Sequence, residues 1–309
     1  MRILVTGGAG FIGSHLVDKL LEGGHEVSVV DDMSSGTIHN LEDSLRNQRL
    51  HLSRRDFTEP RFLRSELPGT DVVVHLAALT SVPDSILHPE NTYRVNAEGT
   101  AALLQACEKH SVRRFILASS AAVYGGRAPP LTEAMPPDPL SPYAASKVFA
   151  EVSVRSWTAS SGLESVILRF MNVYGTRCSA TNEGVIPSFL RALKKGEPLI
   201  VFGRGNQTRD FVHVSDVINS ITLALRTSAC KAEVFNVGAG HRTTITDLVS
   251  IFRELLPDKK IRAKHLPARK GDVRQSFADM NKAARVLKFT PRVMLKDGLA
   301  DLLKKEALD

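Results

Sequence analysis

A tyrosine and a lysine stand four residues apart in this chain, in the run Tyr143-Ala144-Ala145-Ser146-Lys147. If the run is helical, the two side chains lie on the same face, one turn apart. A lysine ammonium beside the phenol would lower the tyrosine pKa from about 10 toward neutrality, and such a phenol can act as a general base. By itself this spacing is equally consistent with a pair on the protein surface.

A run of small and hydroxyl-bearing residues precedes this pair, from Ser119 to Gly125. It follows a predicted strand and begins with two serines. In a parallel sheet the carboxyl ends of the strands form the edge where ligands bind. The run is therefore expected to bring hydroxyl groups to that edge.

The amino-terminal residues combine a strand, a glycine-rich turn and a helix in that order. Gly8, Gly10 and Gly13 satisfy G-x-G-x-x-G, and Gly7 forms a G-x-x-G-x-x-G pattern with the last two. Glycines let the backbone turn tightly and approach a pyrophosphate, whose charge is met by the free N–H groups of the following helix. Asp31 ends the second predicted strand, 18 residues beyond Gly13, where a carboxylate accepts the adenosine ribose hydroxyls and repels a 2′-phosphate. These features predict NAD rather than NADP, against the alternative of a tight turn without a ligand.

The elements that would position these residues can be predicted from hydrophobic periodicity. Up to about residue 170, short apolar runs alternate with amphipathic segments of helix length, which is typical of a parallel sheet wound by helices on both faces. The predicted strands are 3–6, 26–30, 71–75, 114–118 and 165–170, and the predicted helices are 11–21, 97–108 and 144–156. Beyond about residue 175 the pattern predicts short helices over 184–194, 216–226, 246–256 and 296–305, with a strand over 233–237. The predicted fold is α/β, a Rossmann-like doubly wound parallel sheet with a smaller mixed α/β substrate-binding lobe.

Six prolines lie within residues 128–142, which excludes a helix or a central strand there. We expect an ordered loop. The sequence leaves open whether this loop only connects two elements or also lies over the active site.

Composition limits the class of protein. The 309 residues are 43% hydrophobic and 24% charged, enough for the core of an enzyme-sized globular protein. Cys107, Cys178 and Cys230 lie far apart, which argues against disulfides or structural zinc and favours a reducing cytoplasm. The net charge of +7 is scattered, and it fits an anionic ligand as well as nucleic acid. We expect no targeting segment, no membrane span and no metal site.

Several of these runs resemble the motifs of one known family. The matches are VTGGAGFIGSH at residues 5–15, the Y-x-x-x-K spacing of Tyr143 and Lys147, and a serine four residues before Tyr124. They resemble the extended short-chain dehydrogenase/reductases, specifically the nucleotide-sugar epimerases related to UDP-glucose 4-epimerase, and the resemblance covers nearly the whole chain. It implies that Tyr143 is the catalytic base, Lys147 its partner, and Ser120 the hydroxyl that relays the proton to the sugar.

The resemblance also implies where NAD is held. Asp56 and Phe57 would lie beside the adenine, and the run from His75 to Ala78 would lie under the cofactor. The implied NAD-binding residues are Gly7, Gly10, Phe11, Ile12, Gly13, Asp31, Asp32, Met33, Ser34, Ser35, Gly36, Asp56, Phe57, Leu76, Ala77, Ala78, Thr80, Asn96, Ser119, Tyr143, Lys147, Phe170 and Val173.

For the second half of the chain, the resemblance implies a lobe that binds a nucleotide sugar. Residues 1–170 would form the NAD-binding domain, with segments near 207–238 returning to it, and residues 171–309 would form this lobe. Arginines there suit forked contacts with phosphate oxygens. The implied substrate-binding residues are Ser81, Val82, Ser120, Tyr143, Asn172, Val185, Ile200, Phe202, Arg209, Arg269, Asp272 and Ser276. Position 276 corresponds to the family's gatekeeper at sugar C2, where a tyrosine restricts the pocket and this serine leaves room for an N-acetyl group.

Two alanines limit which reactions of the family this chain is expected to catalyse. In the dehydratases and the UDP-glucuronate decarboxylase of this family, an acidic side chain lies between the strand serine or threonine and the tyrosine of V-Y-G. This chain has Ala121 and Ala122 there, and alanine cannot exchange a proton. The predicted function is a UDP-hexose 4-epimerase that works through a 4-keto intermediate with tightly bound NAD. The alternatives are a UDP-glucuronate 4-epimerase or other nucleotide-sugar-modifying relative, a dehydrogenase that releases NADH, and a non-catalytic NAD-sensing or RNA-binding relative.

The predicted helices 97–108 and 144–156 carry many apolar residues, among them Leu103, Leu104, Val148, Phe149 and Val152. In the family the equivalent helices pair across a two-fold axis, so a homodimer is expected. The alternative is that these side chains pack only on their own sheet.

Overall fold

A seven-stranded parallel sheet forms the centre of the fold. The structure is a computed structural model, and it describes residues 1–178, 184–228, 231–268 and 273–308. The strands are β1 (Arg2–Thr6), β2 (Glu26–Val30), β3 (Leu50–Ser53), β4 (Val72–His75), β5 (Arg114–Ser120), β6 (Glu164–Phe170), β7 (Asn172–Tyr174), β8 (Leu199–Phe202), β9 (Thr208–Arg209), β10 (Phe211–His213), β11 (Lys231–Val237), β12 (Thr243–Thr244) and β13 (Ala263–Leu266). The helices are α1 (Phe11–Glu22), α2 (Pro60–Glu66), α3 (Val82–Leu87), α4 (Pro89–Tyr93), α5 (Gly99–Lys109), α6 (Pro142–Ser161), α7 (Val185–Lys195), α8 (Val214–Arg226), α9 (Ile245–Leu255) and α10 (Leu295–Lys305). Within those ranges no helix has the length and apolar character needed to cross a bilayer.

The central sheet has the strand order β11-β6-β5-β4-β1-β2-β3, and every neighbouring pair is parallel. Parallel strands covered on both faces need apolar residues throughout, and Val72, Val73 and Val74 of β4 are fully buried. One face packs against α1 and α8, and the other against α2, α5 and α6. The Rossmann-like, doubly wound fold is confirmed. The strand order reverses between β1 and β4, which is where such sheets bind ligands at their carboxyl edge.

One strand of the central sheet was not predicted, and neither were the short strands outside that sheet. β3 lies at the edge of the sheet beside β2, where Leu50 and Leu52 are half-buried and His51 is exposed. Four residues with two apolar side chains give too weak an alternation to predict a strand. A π-helical turn, Arg94–Glu98, also lies immediately before α5, and a 3-10 turn, Ala121–Tyr124, follows β5.

The second lobe has an apolar core of its own. Phe189 of α7 and Phe252 of α9 meet edge to face at its centre, with ring centroids 5.8 Å apart. In the described residues its short strands pair as β7 with β10 and β8 with β13, both parallel, and as β9 with β12, antiparallel. This lobe is mixed α/β, as predicted.

The strand β11 returns to the central sheet as an edge strand beside β6. Its edge is obstructed in three ways. The Glu133 carboxylate accepts the Asn236 N–H at 2.8 Å, and Lys282 donates to Glu233 at 2.6 Å with its ammonium 5.1 Å from the ring centroid of Phe235. A register shift at Ala232, whose φ is 55°, interrupts the regular pairing.

The proline-rich loop 128–142 is held against the second half of the chain. Leu131 donates its N–H to Phe277 at 2.9 Å and accepts the N–H of Asp279 at 2.8 Å. Asp138 donates back to Val123, just before the loop begins. The loop is therefore more than a connector, because it pairs with the segment that follows Ser276.

The apolar residues predicted for a dimer contact differ in how exposed they are. Leu103 and Leu104 are fully buried against the chain's own sheet, so their assignment to a contact between chains was wrong. They occupy the inward face of α5, which must be apolar to cover a parallel sheet. Phe149 and Val152 of α6 are 49% and 59% exposed, and Val148 is partly buried in the core.

Candidate active site

The glycine turn between β1 and α1 allows a very close approach of strand, loop and helix. Gly7 has a φ of 71°, and a Cβ there would lie 2.8 Å from the backbone nitrogen of Ala77. A Cβ on Gly13 would lie 2.1 Å from the carbonyl oxygen of Gly7. A side chain at Gly7 would collide with the loop that follows β4, and a side chain at Gly13 would push α1 away from the glycine turn. The pattern found in the sequence thus has a direct steric reason.

The first turn of α1 is suited to an anion. Gly10 is its N-cap and provides no side chain to cap it, and the first turn contains no acidic residue. The backbone N–H groups at a helix start carry a partial positive charge and need an acceptor. Phe11 and Ile12, which begin the helix, are half-buried beside this turn. A diphosphate is a suitable acceptor for such a helix start.

Asp31 and Asp32, the two acids after β2, occupy different environments. Asp31 is buried and accepts N–H groups from Ala9 and Met33, both at 2.9 Å. Burial raises its pKa, and the two backbone donors oppose that rise. Asp32 is exposed and accepts the N–H and the hydroxyl of Ser34. Asp31 is thus the acid that faces the glycine turn.

Two residues that the sequence did not single out hold the glycine turn from outside. The carbonyl of Ala9 accepts the Thr37 N–H at 3.1 Å and the Asn40 side-chain amide at 2.9 Å. The absence of a side chain at Gly36 lets this segment lie close to Asp31, because a Cβ there would lie 2.9 Å from an Asp31 carboxylate oxygen. Ser35, next to it, is exposed.

A chain of hydrogen bonds runs beneath the loop that follows β4. His75 Nδ1 lies 2.7 Å from Thr6 Oγ1, and its Nε2 lies 3.0 Å from Thr100 Oγ1. Thr100 donates to a backbone carbonyl, so His75 Nε2 carries the proton and donates to Thr100, while Nδ1 accepts from Thr6. Full burial lowers the pKa of His75 to about 3, with the charge of Lys147 acting in the same direction. The Phe57 ring packs 5.0 Å away, between ring centroids.

Asn96 ties this loop to the helix α6. Its carbonyl oxygen accepts the Leu79 N–H, and its amide donates to the Leu79 carbonyl and to Ser146 Oγ. The loop residues Leu76, Ala77 and Ala78 are half-buried, and Thr80 is exposed. The side chain of Asn96 therefore holds the proposed cofactor loop in place.

Asp56, a predicted NAD contact, and Ser81, a predicted substrate contact, both make hydrogen bonds within their own loops. Asp56 accepts the N–H and the hydroxyl of Thr58 and lies 3.7 Å from Arg94. Ser81 caps α3 by accepting the Asp84 N–H, and Val82 after it is exposed.

The structure brings Ser120, Tyr143 and Lys147 together at the carboxyl end of β5. Ser120 ends the strand, and a side-chain hydrogen bond links it to Tyr143 in the first turn of α6. Lys147, one turn further, donates its ammonium to the Ala118 carbonyl at 3.0 Å. Tyr143 and Lys147 are 8% and 6% exposed. The alternative of a surface pair is therefore excluded.

The prediction that Lys147 lowers the pKa of Tyr143 was wrong, because within the polypeptide the pKa of Tyr143 is raised. Burial raises the pKa of Tyr143, and the hydrogen bond to Ser120 opposes that rise only in part. The Lys147 ammonium is directed at the backbone of β5. Burial also lowers the pKa of Lys147, to about 8, although the charge of Glu151 opposes this shift.

A buried network lies directly behind these residues. Ser119 Oγ donates to Glu151 at 2.5 Å, and Arg169 donates to both oxygens of the same carboxylate at 2.9 and 2.7 Å. The Arg169 guanidinium lies 4.7 Å from the ring centroid of Tyr124, whose hydroxyl donates to Asn236. The hydroxyl of Ser119, a predicted cofactor contact, is thus used inside the protein.

Asp210 connects the chain segments that follow β6 and β11. Its carboxylate is buried and accepts N–H groups from Ala239, Gly240 and Ala278, and its carbonyl accepts from the side chain of Asn172 at 3.2 Å. Burial raises its pKa. The residues on either side of Asn172 are Met171 and Val173, and Phe170 before them is buried at the end of β6.

Arg209 and Ser276 lie on adjacent segments. Arg209 donates to the Val273 carbonyl at 2.7 Å, and Ser276 donates its N–H to the Thr208 carbonyl at 3.2 Å. Ser276 is half-buried. Three further predicted contacts are half-buried, namely Val185 at the start of α7 and Ile200 and Phe202 of β8. Arg269 and Asp272, like Cys230, lie outside the described residues.

Comparisons with known proteins agree on the family and differ on the reaction. A model of the NAD dependent epimerase/dehydratase family matches residues 3–238. The chain is 37% identical over 311 residues to the UDP-glucose 4-epimerase of Mycolicibacterium smegmatis, covering 97% of this chain and 96% of that one. Its structure matches the UDP-glucose 4-epimerase of Thermotoga maritima, solved with UDP-glucose, with a TM-score of 0.92, 36% identity and coverage of 100% of both chains. It matches the dTDP-glucose 4,6-dehydratase of Streptomyces venezuelae, solved with NAD, with a TM-score of 0.92, 34% identity and coverage of 98% and 96%.

Proposed function

The chain belongs to the NAD-dependent epimerase/dehydratase family, and on that premise we propose that it is a UDP-hexose 4-epimerase. Family membership makes it an NAD-dependent nucleotide-sugar epimerase or dehydratase. The observation that carries the finer proposal is the surroundings of Ser120 and Tyr143, which contain the hydroxyl pair but no acid on the adjoining turn.

That turn is the 3-10 segment Ala121–Tyr124, which follows Ser120 directly. Ala121 and Ala122 are both half-buried there. The resemblance implies that dehydratases of the family carry an acidic side chain within this turn, and this chain has only methyl groups at the two positions. Dehydration needs a proton to be removed at sugar C5, and a methyl group cannot remove it. Exchange of configuration at C4 needs no such group. The two alanines therefore favour epimerisation.

The residues around the glycine turn fit NAD. The uncapped start of α1 suits the pyrophosphate, and Asp31 suits the adenosine ribose. Lys147 is proposed to hold the nicotinamide ribose. When bound, NAD supplies the acceptor for the hydride from sugar C4 and adds a positive charge to the site.

Tyr143 is the proposed general base. Its oxygen takes the proton of the sugar 4-OH through or beside Ser120, and a ketone forms at C4. Burial raises the pKa of Tyr143, and the positive charge of bound NAD would lower it again. After the 4-keto sugar turns over in the site, the other face of C4 would receive the hydride back, and Tyr143 returns the proton to the C4 oxygen, which completes the epimer.

We propose that the pocket accepts both plain hexoses and N-acetylhexosamines, that is UDP-glucose/UDP-galactose and UDP-GlcNAc/UDP-GalNAc. The support is Ser276, which is half-buried beside the segment of Arg209. A serine occupies far less space than the tyrosine that restricts this position in relatives.

The test compares three candidate sugars side by side and identifies the bound nucleotide. The purified protein is denatured and the released nucleotide identified, and the native protein is incubated separately with UDP-glucose, UDP-N-acetylglucosamine and UDP-glucuronate. The expected result is bound NAD and the C4 epimer of the first two sugars, without added NAD. Epimerisation of UDP-glucuronate alone, accumulation of a 4-keto-6-deoxy sugar, a continuous requirement for added NAD, or copurified RNA would each contradict the proposal.

We further propose a homodimer that works in the cytoplasm. Phe149 and Val152 on α6 are exposed, and α3, which packs against α6, adds Ile86 and Leu87, 61% and 70% exposed. Four exposed apolar side chains on two helices that pack together are a candidate contact surface for a second copy of the chain. The low cysteine content supports a reducing compartment.

A further inference from the structure

One buried carboxylate next to the proposed catalytic residues takes no part in the reaction described above. Glu151 lies on α6, one turn after Lys147 and two turns after Tyr143, and it is 2% exposed. A carboxylate is rarely buried to this degree unless it is paired. Its partners therefore indicate its role.

Glu151 joins three elements of the fold. One carboxylate oxygen accepts both Ser119 Oγ at 2.5 Å and Arg169 Nε at 2.9 Å, and the other accepts Arg169 Nη2 at 2.7 Å. Ser119 is on β5 and is followed directly by Ser120, while Arg169 is on β6. The carboxylate thus connects the catalytic helix to the strand that ends in the catalytic serine.

Stability alone is a weak explanation for this arrangement. Removing two charges from water is expensive, and buried pairs are often replaced by apolar residues with no loss of stability. Fixed geometry is a better explanation, because a forked arginine–carboxylate pair constrains both direction and distance.

We propose that Glu151 is a positioning residue, which fixes α6, with Tyr143 and Lys147, at a set distance from Ser120 at the end of β5. This inference rests on the proposed function, because it assigns the three residues to one reaction.

The charge of Glu151 has a second consequence, for Lys147. Around this ammonium lie the Ala118 carbonyl of β5, the neutral His75 of β4, and Tyr143 and Glu151 of its own helix. Burial lowers the pKa of Lys147 to about 8, and Glu151 supplies the negative charge that opposes the shift. Without that charge, Lys147 would lose its proton at a lower pH.

The chain provides a matched control at the other end of the same strands. Arg114, the first residue of β5, donates Nε and Nη2 to Glu164, the first residue of β6, at 2.9 and 2.8 Å. This pair also joins β5 to β6 through an arginine and a carboxylate, but it lies far from Ser120. Glu164→Gln is therefore compared with Glu151→Gln.

Three measurements are made on the NAD-bound protein: kcat and KM with UDP-glucose, the pH profile of kcat, and the content of bound NAD. For Glu151→Gln we expect kcat to fall by about 10²-fold, the usual effect of a small displacement of a catalytic group, while KM and NAD content change little. The alkaline limb of the profile should move to lower pH. Glu151→Asp keeps the charge but has a shorter reach, so kcat should fall while the alkaline limb stays where it is in the wild type. Glu164→Gln should change neither.

A second variant and a substrate-free readout keep the test valid if the single variant folds poorly. Glu151→Gln/Arg169→Met removes both charges and leaves no unpaired buried ion, so it should fold. Amide hydrogen exchange should be faster than in wild type within residues 119–124 and 143–147, and unchanged in α1. Its kcat should remain as low as that of the single variant.

The outcomes separate the two proposals. If the wild type epimerises no UDP-hexose, the proposed function fails, and local exchange in residues 119–124 and 143–147 still decides the positioning role. A folded Glu151→Gln protein with kcat within about threefold of wild type would overturn that role. So would a lowered kcat with an unchanged alkaline limb and uniformly faster exchange, because these indicate a structural defect only.

Discussion

At the scale of single residues, burial fixes the protonation state of His75 and makes stability depend on pH. The pKa of His75 is 6.5 in the unfolded chain and about 3 in the fold. Its contribution to stability is complete above pH 6.5 and is lost as the pH falls from 6.5 toward 3, because only the unfolded chain binds the proton in that range.

We therefore expect the pH dependence of unfolding to change in His75→Gln, which keeps a donor for Thr100. Between about pH 7 and pH 4.5 the wild type should lose roughly 2 kcal/mol more than this variant. Urea unfolding at both pH values measures the difference, and His88→Gln, at an exposed position, serves as the control. Equal losses in wild type and His75→Gln would mean that His75 is protonated in the fold.

Tyr143 gives the most direct test of the proposed chemistry. Tyr143→Phe removes the hydroxyl that is hydrogen-bonded to Ser120 and keeps the ring in its buried place. We expect kcat to fall by roughly 10² or more, while KM for the UDP-sugar changes little. Steady-state kinetics with UDP-glucose measure both constants. Near-normal turnover would remove Tyr143 from the mechanism.

Ser276 gives the test of substrate range. Replacing it with Tyr adds a ring to a half-buried position, and the larger N-acetylated substrate should suffer far more than UDP-glucose from the crowding. The measurement is kcat/KM for both substrates in wild type and Ser276→Tyr. If the ratio of the two values is the same in both proteins, residue 276 does not gate the pocket.

Sequence patterns predict the residues of the candidate site more directly than they predict the residues that hold them in place. Tyr143, Lys147 and the glycine turn follow from fixed spacings along the chain. The hydrogen bonds from Asn40 to the Ala9 carbonyl and from Ser119 to Glu151 follow from no spacing pattern. The partners are 31 and 32 residues apart and come together only in the folded protein. The direction of the Tyr143 pKa shift also depends on burial, which a helical spacing cannot show.

At the scale of elements, the start of α6 sets where Tyr143, the proposed general base, lies. Ser141 is its N-cap and accepts the Ala144 N–H at 3.1 Å, and Pro142 occupies the first helical position. Ser141→Ala should lower the free energy of unfolding by about 1 kcal/mol through loss of this cap. Chemical denaturation measures it, with Ser156→Ala on an exposed part of the same helix as the control. Equal effects of the two changes would mean that the cap contributes nothing.

Most elements of the central sheet could be predicted, because buried parallel strands are continuous apolar runs. β2 was predicted to the residue, and β4, β5 and β6 within two residues at each end. β3 was missed because an edge strand needs few apolar residues. The pairing of the proline loop with Phe277 and Asp279 could not be predicted either, since hydrogen bonds between distant loops leave no periodic pattern.

At the scale of the whole molecule, the exposed apolar face of α6 predicts self-association. Light scattering should give twice the 33.7 kDa of one chain. The double variant Phe149→Glu/Val152→Glu places charges in the contact and should give the mass of one chain. Met294, 62% exposed and outside this face, provides the control Met294→Glu. A wild-type mass near 33.7 kDa at every concentration would contradict the dimer.

The obstructed edge of β11 limits how copies of this chain can associate. An open sheet edge accepts another strand, and each added copy presents the same edge again, so growth has no natural end. Here Glu133 already occupies the Asn236 amide, and the bulge at Ala232 breaks the regular ladder. Filament growth through this edge of the sheet is therefore disfavoured, and the self-association proposed above would involve helices rather than strands.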